Sequence, residues 1–281
     1  MISAVLTCFK RQYNLQEQIN SCLLQSIKIS EIIIWNNGEH IEKDQLKVNA
    51  KTNLIVINSS DNTGVWSRFS VALICKNHFI LVLDDDTIPG IDFCKNCLDS
   101  FHNNPGLYGS RGLRFLSKNN YEPYDEFGWS NPNDSIVEVD IVGHSWFFPK
   151  KYLSFFWNEN LANNISYICG EDIHFSYSIQ KYGDLKTFVP PHTLDKPKSW
   201  GSNPSISLSI GGDKNAISQS KNAISKFEKA FKFYRSKGFK LIIVDKLESY
   251  TYLKHYETLS FKKKLMIYLP FIYKITKKLF R

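Results

Sequence analysis

The sequence predicts an α/β fold with a mostly parallel central sheet. Short apolar, β-branched runs alternate with segments whose apolar residues recur at helical spacing. Those runs are apolar throughout, as in strands covered on both faces. One of them, FILVLDDDTIPG, ends abruptly in Asp84, Asp85 and Asp86. In open α/β sheets ligands bind at the carboxyl ends of the strands, so the acidic end is a candidate site.

Ile2–Phe9 reads as a buried first strand, and Asn14–Ile27 as a helix carrying Leu15, Ile19, Leu23 and Ile27 on one face. Glu31–Trp35 is a second strand, stopped by the turn signal Asn36-Asn37-Gly38. Asn53–Ile57 is a third, Trp66–Lys76 a helix and Phe79–Leu83 a fourth strand. Residues 104–140 read as loop-rich, with a strand at Ser135–Val142 and another at Ser145–Phe148. Glu171–Tyr182 is helical, with two acids where the helix dipole favours them. Thr187–Val189 is a short strand before the Pro190-Pro191 break. Ser199–Lys214 is a Gly/Ser/Asn-rich loop of the kind that closes over a site. Ala216–Ser236 reads as a helix, Leu241–Val244 as a strand-like run and the remainder as a helical tail.

The composition is that of a globular protein: 281 residues, 43% hydrophobic and 22% charged, which excludes collagen, coiled coil and wholesale disorder. Met1 leads into an apolar stretch without the basic start and cleavage site of a secretory signal. The six cysteines are scattered through apolar stretches, so reduced core thiols and cytoplasmic residence are expected. Cys94-Lys95-Asn96-Cys97 has no second Cys/His pair to complete a zinc site and reads as part of a packed helix.

The net charge of +8 suggests nucleic acid until its distribution is examined. Residues 261–281 hold seven basic residues and no acid, and removing those seven charges leaves residues 1–260 near +1. A groove that follows a phosphate backbone needs positive charge in the body, so no nucleic-acid partner is expected. The tail interleaves its lysines with Leu265, Leu269, Ile272 and Leu279 at helical spacing, interrupted by Pro270. That pattern, aromatics and lysines with no acid, suits a helix lying on an anionic membrane surface; the alternative is a terminal helix docked on its own domain.

Adjacent carboxylates repel one another unless a cation or solvent compensates. Hard oxygen ligands of this kind suit Mg²⁺ or Mn²⁺, which in turn grips a diphosphate. Glu171-Asp172 opens a helix in CGEDIHFSYSIQKYG, where a carboxylate is either a cap or a base. In VPPHTLDKP, His192 sits in a proline-stiffened turn, as a structural residue or a metal ligand.

Together these features resemble the glycosyltransferase A (GT-A) fold, and especially the family 2-like glycosyltransferases, over Ile2 to Gly212. The first strand with TCFKR resembles that family's nucleotide-binding loop, and NTGVWSRF its Asn-x-Gly segment with a following Arg. LDDDT is similar to its D-x-D site, and GEDIHFSYSIQKYG to its Glu-Asp helix. EIIIWNNG resembles its second strand, with Asn36-Asn37 where an Asp is usual. NTGVWSRF, LDDDT and GHSWFFPKKYL also resemble the exostosin-like family 64 transferases, which retain the anomeric configuration that family 2 inverts.

The resemblance implies a Rossmann-like nucleotide-diphospho-sugar transferase domain over 1–212 and a helical extension over 213–281. It implies that Thr7, Arg11 and Asn37 line the base pocket, with Asn62 and Arg68 nearer the ribose and diphosphate. Asp84 would contact the nucleoside, Asp86 and His192 would hold the metal, and Asp85 lies between the two aspartates. Gly143 and His144 would bring backbone close to the donor sugar, and Trp200 would close over the donor or anchor its loop. Asp172 would act as base towards the acceptor hydroxyl, with Glu171 orienting the acceptor or the loop. The implied activity is metal-dependent transfer from a nucleotide-sugar, by family default a UDP-sugar, to a glycan or lipid-linked glycan at the cytoplasmic membrane face. Two alternatives compete. A sugar-phosphate nucleotidyltransferase needs a Gly-rich basic loop after the first strand, and TCFKRQYN has no glycine. A non-catalytic carbohydrate- or membrane-binding module would have no need of the acidic and histidine residues.

Overall fold

The computed structural model describes residues 1–129, 131–160, 166–202 and 222–243. An eight-stranded sheet forms its centre. Four strands run parallel in the order β3 (Asn53–Asn58), β2 (Ile29–Asn36), β1 (Ile2–Cys8) and β4 (Phe79–Leu83). Next to β4 lies β10 (Ser145–Pro149), antiparallel, then β5 (Gly106–Tyr108), β11 (Lys186–Val189) and β8 (Val137–Val139).

The strand alternation explains why both faces are covered. Ala4, Leu6, Ile32, Ile34, Leu81 and Leu83 point into one core, closed by Leu15 and Ile19 of α1 (Leu15–Leu23) and Phe93, Cys94 and Cys97 of α3 (Phe93–Asn103). Their neighbours Val5, Ile33, Ile80 and Val82 point into a second core. It is closed by Phe69 of α2 (Ser67–Val71), Phe156 of α4 (Leu153–Asn158) and Phe175 of α5 (Glu171–Gly183). All six cysteines are buried and free.

Four segments differ from their expected form. The helix over Trp66–Lys76 is shorter, ending as α2 plus a 3-10 turn at Ala72–Ile74. The buried carboxylate of Glu31 accepts the Lys76 N–H at 2.8 Å, which draws the chain out towards β4. Residues 104–140 hold strands rather than loop alone. β6 (Arg111–Phe115) pairs antiparallel with β7 (Tyr124–Gly128) and β9 (Ile141–Gly143) in a separate three-stranded sheet. The strand expected at Ser135–Val142 is therefore two, β8 and β9, split at Asp140 between the two sheets. Of the strand-like run expected at Leu241–Val244, Val244 lies outside the described residues; Ile242 and Ile243 are helical, and the Ile242 N–H is taken by the Asp140 carboxylate at 2.8 Å.

Beyond residue 221, α6 (Ala223–Ser236) lies against the body. Its Ala230, Phe231 and Tyr234 share a core with Leu113 and Phe115 of β6, Ile141 of β9 and Ile173 and Tyr177 of α5. The expected boundary at 212/213 thus precedes a segment that packs on the body as far as Ile243. The expected tail helix at 261–281 and most of the Ser199–Lys214 loop lie outside the described residues. Among the described residues no helix is long and apolar enough to cross a membrane.

Truncating Phe231 to Ala removes a fully buried ring from that shared core. It should lower the stability of the whole protein by about 3 kcal/mol in urea unfolding. An unchanged midpoint would mean that α6 is not part of the folded body.

Candidate active site

The acidic turn after β4 is held from beneath before any side-chain chemistry begins. The Asp84 N–H and the Thr87 hydroxyl both donate to the His144 carbonyl, at 3.0 and 2.9 Å. Gln18, buried on the apolar face of α1, donates its amide to the carbonyls of Asp84 and Thr87 at 2.6 and 3.1 Å. Thr7 ties the end of β1 to β4 through a 3.2 Å bond to the Leu83 carbonyl.

Two arginines, each only about 5% exposed, then face the three carboxylates. Arg68, on α2, pairs with Asp84 and lies 3.6 Å from Glu171, with its guanidinium stacked 4.9 Å over the Trp146 ring. Arg11 sits 2.5 Å from Asp85 and 3.3 Å from Asp86. Its side chain is thus turned to the aspartates rather than reserved for a base, because their charge attracts the nearest cation. Burial pushes the Asp85 carboxyl up to about 6 against the pull of Arg11. Burial also works upward on Asp86, but the His144 imidazole and Arg11 hold it below the usual carboxylate range.

His144 is the residue whose role the sequence did not disclose. It occupies the left-handed backbone region at φ 61°, where the chain passes from β9 in the small sheet to β10 in the large one. A non-glycine residue there carries strain of roughly 1–3 kcal/mol. The bend aims its Nδ1 at Asp86 Oδ1, 3.7 Å away, and its ring stacks on Trp129 with centroids 5.1 Å apart. Asp84, Asp86 and His144 each offer a ligand atom within 4.8 Å of the others. Asp86 Oδ1 is buried without a hydrogen-bond partner, the state of an oxygen that a cation would satisfy. An oxygen-rich set with one imidazole fits Mn²⁺, and fits Mg²⁺ less well. A Cβ on the adjacent Gly143 would meet nothing within 4 Å, so space is open there.

His192, the histidine expected to complete the metal shell, is placed elsewhere. It is fully buried, with Nδ1 against the Pro190 carbonyl at 2.8 Å and Nε2 accepting the Gly201 N–H at 3.0 Å. Both ring nitrogens serve the fold. Trp200 likewise anchors rather than closes. Its indole is buried and donates to the Thr193 carbonyl at 2.7 Å, while its own carbonyl accepts the Gly90 N–H. Asn37 bridges the end of β2 to the 62–64 turn by accepting the Thr63 hydroxyl at 2.7 Å and donating to the Gly64 carbonyl at 3.1 Å. Asn62 caps that turn through the Gly64 N–H at 2.9 Å. Gly64 is required there, since its φ is 76° and a Cβ would lie 2.1 Å from the Tyr167 carbonyl.

Glu171 and Asp172 start α5 just after the left-handed Gly170. Burial, with Asp172 and Asp84 nearby, pushes the Glu171 carboxyl up to about 8 despite Arg68. Burial raises Asp172 less, to about 6, because the Ile173 N–H donates to it at 2.7 Å. Burial therefore favours the protonated form more strongly in Glu171 than in its neighbour Asp172. Arg111 also helps to keep Asp172 low, and its partner across β6–β7 is Glu126 at 2.6 Å.

The family described as Glycosyl transferase family 2 matches residues 3–171. No curated protein matches the chain. Among solved structures, S. aureus TarS 1-349 aligns at 14% identity and a TM-score of 0.51, covering 88% of this chain and 76% of that one. TarS 1-349 in complex with UDP aligns at 14% identity and a TM-score of 0.50, covering 68% of this chain. The chain spans 58% of the length of that UDP-bound chain. At such identity the likeness is one of fold, and it agrees with the sheet order, the site at the strand ends and the family match: this chain belongs to the family 2 glycosyltransferases, on a GT-A fold.

Proposed function

We propose that this transferase moves a sugar from a nucleoside diphosphate sugar, a UDP-sugar first among the candidates, to a hydroxyl of a glycan or lipid-linked glycan. The observation that carries the reading is the single network joining the acidic turn to the Glu-Asp helix: Arg68 bridges Asp84 to Glu171, next to Asp172. A site for diphosphate and a site for acceptor thus share one buried cation. The TarS chain that binds UDP has the same fold, which supports uridine as the base.

Asp86 and His144, with Asp84, would hold a divalent ion, Mn²⁺ before Mg²⁺. When bound, such an ion offsets the charge that builds on the departing diphosphate. The protein's own groups do the rest. Asp172 accepts the proton of the acceptor hydroxyl as that oxygen attacks the anomeric carbon, and the bond from that carbon to the diphosphate oxygen breaks with inversion. Arg68 faces the leaving group. Glu171, whose carboxyl burial raises further, leaves Asp172 as the more readily ionised carboxylate of the pair.

Thr7, Asn37 and Asn62 frame the base and ribose side, and Gly143 leaves room for the donor sugar. Sugar class, whether hexosyl or N-acetylhexosaminyl, follows from contacts made in that space. Residues 261–281, basic without acids, would bring the enzyme to the anionic cytoplasmic face of a membrane for surface polysaccharide or glycoconjugate synthesis. The catalytic unit is residues 1–243 in this reading, with the tail beyond it.

Thermal unfolding with UDP, GDP, CDP, ADP and UTP, each with Mn²⁺ or EDTA, tests the donor assignment. One nucleoside diphosphate with Mn²⁺ should stabilise the protein by about 3 kcal/mol at 100 times its dissociation constant. No shift with any nucleotide would contradict it. The base assignment has its own test in the pH profile of kcat/KM. Asp172 must be ionised to act, so the rate should fall about tenfold per pH unit below about pH 6. In Asp172→Asn it should fall by about 10²-fold or more at all pH values, and near-normal activity would remove Asp172 from the role. Stability moves the other way. Both folded carboxyls titrate above their ordinary values, so ionising them costs stability progressively from about pH 4 to pH 8.

A further inference from the structure

We propose that Arg11 is a placeholder for the divalent cation, a role that rests on the donor-site reading above. In the unliganded protein it neutralises Asp85 and Asp86. It releases Asp86 only when metal and nucleoside diphosphate arrive together. Metal binding is then coupled to nucleotide binding by an internal cation.

The geometry places Arg11 and the metal position on opposite sides of one carboxylate. Asp86 Oδ2 faces the Arg11 guanidinium at 3.3 Å, whereas Oδ1 faces His144 at 3.7 Å and has no hydrogen-bond partner. A divalent ion taking Oδ1 would therefore sit across Asp86 from the resident Arg11 charge in a half-buried site, where such repulsion is only partly screened. The charge count gives the same result. Asp84, Asp85 and Asp86 against Arg11 and Arg68 leave about one net negative charge. A divalent ion alone overshoots that, while a diphosphate entering with it restores the balance.

Arg11 is also placed to move. It precedes the 3-10 turn Gln12–Asn14, in a segment between exposed Phe9 and Tyr13, and not within β1 or α1. Arg68, by contrast, is fixed within α2 and stacked on Trp146. Once displaced, the planar fork of Arg11 matches the paired oxygens of a phosphate as well as it matched carboxylates. The arrangement has a consequence for order of binding. The ion gains little affinity alone, and by reciprocity each ligand must strengthen the other by one factor.

The test is Mn²⁺ binding to the full chain, read from the spectrum of free Mn²⁺, with and without UDP. The proteins are wild type, Arg11→Gln, Arg11→Lys and the neighbouring exposed Lys10→Gln. Wild type should bind Mn²⁺ at least about tenfold more tightly with UDP than without, and UDP should gain by the same factor from Mn²⁺. Arg11→Gln should bind Mn²⁺ alone at least about tenfold more tightly than wild type and lose most of the coupling. Arg11→Lys should stay weak without UDP, and Lys10→Gln should match wild type. If Arg11→Gln binds Mn²⁺ alone no more tightly than wild type, or Lys10→Gln gains as much, the placeholder is wrong while the donor site stands. If Arg11→Gln does not fold, equal wild-type affinity for Mn²⁺ with and without UDP overturns the proposal by itself. If wild type binds Mn²⁺ neither alone nor with any of the four nucleoside diphosphates, the donor-site reading fails and takes this inference with it.

Discussion

Three consecutive carboxylates at the end of a buried strand are the constraint on which the rest of this structure depends. Their mutual repulsion must be offset inside the fold, and the chain does so with Arg11 and Arg68, both nearly fully buried. Losing one partner of such a buried pair typically costs about 3–5 kcal/mol, so the arginines are structural as well as chemical. The surrounding backbone is organised to hold the turn. Gln18 from α1, the His144 carbonyl between two sheets and the loop at Trp200–Ser202 all bond to residues 84–90.

The same constraint fixes the second half of the site. Because Arg68 faces Asp84 and Glu171 together, α5 must begin beside the acidic turn, and Gly170 in the left-handed region lets it do so. The helix is braced from behind by His174, whose ring nitrogens meet the Tyr234 hydroxyl at 2.7 Å and the Phe156 carbonyl at 2.8 Å. Burial keeps that imidazole neutral by lowering its pKa to about 4. Helix α6 is therefore part of what positions Asp172, two residues before His174.

Much of this was legible in the sequence. Continuous apolar runs gave β1 to β4 because strands buried on both faces leave no polar alternation to misread. The acidic turn and the Glu-Asp helix start were visible as charges where charges are costly. The pairing of β6 with β7 was not legible, since Arg111, Arg114 and Glu126 break the apolar pattern, and in β6 Leu113 and Phe115 point into the core. His144 and His192 were assigned in reverse order of exposure to the site. The family resemblance implied His192 as a metal ligand, yet the fold consumes both of its nitrogens. Only the three-dimensional pairing of β9 and β10 in different sheets shows that residue 144 must bend towards Asp86. One signal was available, a polar Gln18 on the apolar face of α1, and it marks the support beneath the turn.

In the proposed site, Asp84, Asp86 and His144 form the metal end of a nucleotide-sugar pocket. Anomalous diffraction from crystals grown with Mn²⁺ and UDP tests it most directly. One strong Mn²⁺ peak is expected in contact with Asp86 and His144, next to the diphosphate, with His192 still bonded to Gly201. A peak on His192, or a bound UDP with no metal peak at the acidic turn, would contradict it.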